Sequence, residues 1–77
     1  MRSRNVVGPR VKEARHRHDP KLTQQELAIT LQLRGWDIDR FGVSRIERGV
    51  RQVTDRELLL LSNALDVTVS WLLRESQ

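Results

Sequence analysis

Leu22-Thr23-Gln24-Gln25-Glu26-Leu27-Ala28 reads as the opening of a short amphipathic helix. Thr23 and Glu26 have the spacing of a capping box: the threonine hydroxyl accepts the Glu26 amide, and the carboxylate reaches back to the threonine amide. Leu27, Ala28 and Leu31 then recur on one side at helical spacing, and Gly35 offers a stop. After Trp36-Asp37-Ile38, Asp39 caps a following helix that runs to about Arg48, with Val43 and Ile46 inward and Gly49 at its end.

The same signals continue outward in both directions. Thr54-Asp55-Arg56-Glu57 is a second capping box, opening a helix with Leu58, Leu61, Ala64 and Leu65 inside. Thr68 caps a last short helix containing Val69, Trp71, Leu72 and Leu73. Towards the N-terminus, Gly8-Pro9 suits a helix entrance, because proline tolerates the first turn. Val7, Val11, Ala14 and Arg15 then recur to about His18, where Asp19-Pro20 stops the run. The spacing predicts five helices in an all-α orthogonal bundle over residues 6–74, with 1–5 and 75–77 as loose ends.

With 77 residues and 9.0 kDa, the chain has room for one domain, burying roughly 63% of its unfolded surface. No cysteine is present, which excludes disulfides, thiolate metal sites and a cysteine nucleophile. No apolar run approaches the roughly 20 residues a bilayer crossing needs. Only Val6-Val7 follow the basic start before Gly8, so no signal peptide is expected and a cytoplasmic location is. The net charge of +4 is unevenly placed. Residues 1–21 carry +5 and residues 40–51 carry +3, whereas 22–39 and 52–77 each carry −2. If the fold joins the two basic blocks, the domain has one positive face suited to a polyanion.

These elements resemble the Cro/lambda-repressor-like (XRE) helix-turn-helix family. The likeness rests on Leu22-Thr23-Gln24-Gln25-Glu26-Leu27-Ala28, Val43-Ser44-Arg45-Ile46-Glu47-Arg48-Gly49 and Ala64-Leu65-Asp66-Val67-Thr68, and covers about residues 6–73. It implies a transcriptional regulator that binds double-stranded DNA, as a homodimer on a palindromic operator, without a cofactor. It also implies that Arg40, Phe41, Ser44 and Arg45 face base edges and that Gln24, Arg48 and Arg51 contact phosphates. Arg15 and Glu47 match an arginine and a glutamate that pair inside the domain. Gly42 is expected to let the helix backbone approach DNA closely. One departure is the link Gln32–Asp39, about five residues longer than the family's usual turn.

Other residues have plainer readings. His16 and His18 lie on different sides of a helix and make a poor metal pair, so no metal is expected. Asp37 and Asp39 read as turn and cap residues. Trp36 reads as a plug that seats the lengthened link on the core, or alternatively as an exposed contact for a partner. Trp71-Leu72-Leu73 reads as core, or alternatively as the surface of an antitoxin-like module that binds a protein partner. An enzyme is not expected, since no phosphate-binding glycine loop, metal cluster or nucleophile is present.

Overall fold

The computed structural model describes residues 4–74, and within them the chain is all-helical. The helices are α1 (Gly8–Arg17), α2 (Gln24–Leu33), α3 (Arg40–Glu47), α4 (Asp55–Leu65) and α5 (Val69–Leu73). Each of the last four starts at a side-chain cap. The Thr23 hydroxyl accepts the Glu26 amide at 3.0 Å while Glu26 accepts the Thr23 amide at 2.8 Å. Thr54 and Glu57 repeat the exchange at 3.1 and 3.0 Å. Asp39 accepts the Gly42 amide at 2.8 Å, and Thr68 accepts the Trp71 amide at 3.0 Å. Such caps satisfy amides that have no partner in the first turn of a helix.

Two helices end on glycine. Gly35 and Gly49 adopt φ of 93° and 75°, a conformation open to glycine because it has no Cβ. The amides of Trp36 and Val50 then donate to the carbonyls of Leu31 and Arg45, each at 3.0 Å, which closes a Schellman motif. The end of α4 uses Asp66 in the same left-handed region, at φ 56° and ψ 45°. There a side chain bears a steric cost that glycine avoids, about 1–2 kcal/mol for an average residue and less for aspartate. Asp66→Gly removes that cost but adds unfolded-chain freedom worth about 0.4–1 kcal/mol, so the two nearly offset. A thermal melt should move by no more than about 4 °C, whereas Asp66→Val, which bears the full steric cost, should melt lower.

The core gathers Val11 and Ala14 from α1, Leu27, Ala28 and Leu31 from α2, Val43 and Ile46 from α3, Leu61, Ala64 and Leu65 from α4, and Leu72 from α5. α1 packs on α3, α4 and α5, while α2 packs on α3 and α4. The lengthened link adds to this core, because Trp36 and Ile38 are both buried. Gln32 fastens the link further by donating its side-chain amide to the Ile38 carbonyl at 2.7 Å. The extra residues thus become packing instead of a free loop.

Two expectations are corrected. Asn5 is not a loose end. Its amide donates to the carbonyls of Ile46, at 3.1 Å, and Arg51, at 2.7 Å, while its side-chain oxygen accepts the amides of Val7 and Gly8. It therefore caps α1 and holds the end of α3 in one stroke, with the Arg4 amide donating to the Gly49 carbonyl nearby. The remaining predicted loose ends, 1–3 and 75–77, lie outside the described residues. Gly42 does not face outward either. A Cβ there would lie 2.5 Å from Cγ1 of the buried Ile38, so its smallness serves the seating of the link and not an approach to DNA.

Candidate nucleic-acid interface

α3 divides cleanly into two sides. Gly42, Val43 and Ile46 are buried, whereas Arg40, Phe41, Arg45 and Arg48 are exposed and Ser44 is half-buried beside them. At 100° per residue these five positions span about 140° of the helix circumference. The outward arc carries three arginines and no acid. The single acid of the helix, Glu47, leaves the helix at the edge of this arc beside Arg40, and its side chain is drawn inward onto Arg15.

Glu47 meets Arg15 in a two-pronged ion pair, with Nε to Oε2 at 2.8 Å and Nη2 to Oε1 at 3.0 Å. The two side chains are only 9% and 4% exposed, respectively. Arg15 spends its last nitrogen on the Leu22 carbonyl at 2.9 Å. The Gln24 side chain donates to Glu47 Oε1 at 3.0 Å. One buried carboxylate therefore ties α1, the start of α2 and the end of α3 together, and neutralises a cation that could not be left alone there. Gln24 keeps a second amide hydrogen and its carbonyl oxygen. It lines an open groove with Lys21, Thr23, Gln25 and Arg40. In that groove the two basic blocks of the sequence meet.

Not every basic residue joins this face. Arg10 lies over the Trp71 ring, 4.7 Å from its centroid, and pairs with Glu13 at 3.3 Å. Arg17 also pairs with Glu13, at 3.0 Å. Of the arginines in α1, then, all three are occupied within the domain. Arg51, expected on a DNA phosphate, is engaged inside the chain as well. It grips Glu57 with two hydrogen bonds of 2.9 and 3.0 Å, donates to the Gln52 carbonyl, and stacks 5.3 Å from the Trp36 ring centroid. It was the sequence spacing, six residues across a loop, that gave no sign of this pair.

The Arg51 guanidinium, by hydrogen bonding, holds the Glu57 carboxyl below the ordinary value of 4.5. The unfolded chain then binds this proton more readily than the folded one. The contribution to stability is complete above about pH 4.5 and is lost as pH falls through the lowered folded value. Glu57→Gln keeps the cap on Thr54 but removes the titration. Urea unfolding should show the variant weaker than the parent at pH 7 and the gap closing below pH 4.5.

Trp71-Leu72-Leu73 does not make one apolar surface. Leu72 is wholly buried, Trp71 is half-buried and covered by Arg10, and Leu73 alone is exposed. His16 is exposed and His18 half-buried, with its ring Nδ1 2.9 Å from the Pro20 carbonyl. Among the described residues no three His, Cys, Asp or Glu side chains cluster as a metal site, and no helix is long and apolar enough to cross a membrane.

Residues 17–72 match the family model described as Helix-turn-helix, which is most of the chain. The chain belongs to the XRE-type helix-turn-helix family. With that membership comes a DNA-binding transcription regulator, as the sequence resemblance implies. Within the helix-turn-helix unit, α2 is the first helix and α3 the second. Among solved structures, the restriction-modification controller protein C.AhdI from Aeromonas hydrophila is similar, at 33% identity and a TM-score of 0.70, over 86% of this chain and 86% of its own. Among curated proteins nothing matches.

Proposed function

We propose that this chain reads duplex DNA with α3 in the major groove, as a cytoplasmic, homodimeric regulator on a palindromic operator and not as an enzyme. The observation that carries the reading is the outward arc of α3, with three arginines, a phenylalanine and a serine facing solvent while the one acid is locked behind. In a helix-turn-helix the second helix presents its N-terminal residues to base edges while the first crosses the backbone. Arg40, Phe41, Ser44 and Arg45 are the base-reading residues, and Gln24 and Arg48 hold phosphates. Arg51 is a third phosphate contact: it uses three of its five N–H groups on Gln52 and Glu57 and keeps the others for a phosphate. Two copies would set their reading helices about 34 Å apart on one face of the duplex. The likeness to a restriction-modification controller supports the transcription of a restriction-modification system as the regulated process.

Gel shifts across a salt series test this. Arg48→Ala should weaken binding to every sequence and lower the slope of log affinity against log salt by about 0.9 per contact. Arg45→Ala should instead flatten preference at one base pair, by about 1–3 kcal/mol. Equal affinity for all duplexes in the parent protein would remove sequence-specific reading, and an inverted repeat in the preferred sequence would support the dimer.

A further inference from the structure

We propose that Arg40 and Phe41 act as one unit that reads a guanine next to a pyrimidine carrying a C5 methyl group, either thymine or 5-methylcytosine. The inference rests on the reading of α3 as the major-groove helix. Consecutive residues of a helix project about 100° apart, so their side chains do not meet by default. Here they do: Arg40 Cζ lies 4.9 Å from the centroid of the Phe41 ring. Phe41 is 56% exposed, so the ring lies at the charged surface and outside the core.

The chemistry of the pair follows from its geometry. A cation held over an aromatic ring is attracted by the ring quadrupole and uses up no acceptor as an ion pair would. The N–H groups of Arg40 are left for guanine O6 and N7. Arg40 is in none of the ion pairs among the described residues. The ring limits the freedom of the guanidinium before any contact is made, which lowers the ordering cost of binding. Phe41 itself offers only an apolar surface, and the thymine methyl is the apolar feature of the major groove. Neighbouring base pairs are about 3.4 Å apart, so two adjoining side chains reach two successive bases. Cytosine has a hydrogen where thymine has its methyl, whereas 5-methylcytosine restores the same carbon. A methylated and an unmethylated cytosine therefore present different surfaces to Phe41.

Selection from two random duplex pools tests this, one with ordinary cytosine and one with 5-methylcytosine throughout. The ordinary pool should enrich guanine beside thymine, and the modified pool guanine beside either pyrimidine. In the best duplex, deoxyuridine in place of that thymine removes the methyl alone and should weaken binding about four-fold, the value of one buried methyl-sized group. Phe41→Ala, an exposed site where the fold has little to lose, should bind the thymine and deoxyuridine duplexes equally. Arg40→Ala should lose roughly 5- to 150-fold of guanine preference. Enrichment of a sequence without that step, or a Phe41→Ala protein that still prefers thymine over deoxyuridine, overturns the proposal and leaves the DNA reading intact. No enrichment in either pool overturns both.

Discussion

Glu47→Ala should cost about 3–5 kcal/mol of folding stability, because removing one partner of a buried ion pair strands the other charge. Arg15 would keep only the Leu22 carbonyl, in a site where its side chain is 9% exposed. A domain of 77 residues has about 4–12 kcal/mol in total, at 0.05–0.15 kcal/mol per residue. The loss is about a quarter or more of even the larger value, so the urea midpoint should fall by at least a quarter. Urea denaturation followed by circular dichroism measures it. The double variant Arg15→Met with Glu47→Leu should recover much of the loss, since apolar residues of similar volume often replace a buried pair at little cost. A single variant within 1 kcal/mol of the parent would mean that Arg15 finds water or another partner.

The second large effect concerns the link. Trp36→Ala should cost about 3–5 kcal/mol, the range for truncating a buried large aromatic residue. Trp36 is only 9% exposed and carries Arg51 on its face. The substitution opens a cavity and removes the stacking partner of that arginine at once. The melting temperature should fall by more than 10 °C, from about 4–8 °C per kcal/mol. Trp36→Phe keeps an aromatic surface and should fall much less. A fall of only a few degrees in Trp36→Ala would show that the link can collapse onto the gap.

What could be read in the sequence follows from the range of each interaction. Thr23 with Glu26, Thr54 with Glu57, Asp39 with Gly42 and Thr68 with Trp71 act over three residues, so four helix starts were legible from composition and spacing alone. Gly35 and Gly49 marked ends for the same reason. For Trp36 the sequence allowed both a plug on the core and an exposed partner contact, and its burial decides for the plug. Asn5 was not, since its partner carbonyl on Ile46 lies 41 residues away and an asparagine in a basic N-terminal run carries no signature. The orientation of Gly42 was available and was misread. It stands four residues before Ile46, on the same inward side, so helical spacing already opposes a place against DNA. Of the candidate interface, the outward set on α3 follows from that periodicity. The engagement of Arg10 by Trp71 and of Arg51 by Glu57 depends on neighbours that only the fold supplies. The pairs of Glu13 with Arg10 and Arg17, by contrast, lie one turn apart on α1.

The end of α3 is held by Asn5 and Arg4, its beginning by Asp39, and its middle is backed by Ile38 against Gly42. A segment fastened at so many points has few shapes left to choose from. The entropy lost in arranging it is lost once, while the polypeptide folds, and is not lost again at each encounter with a partner. Search along a polymer would then proceed with a stiff probe whose only adjustable parts are the tips of its side chains.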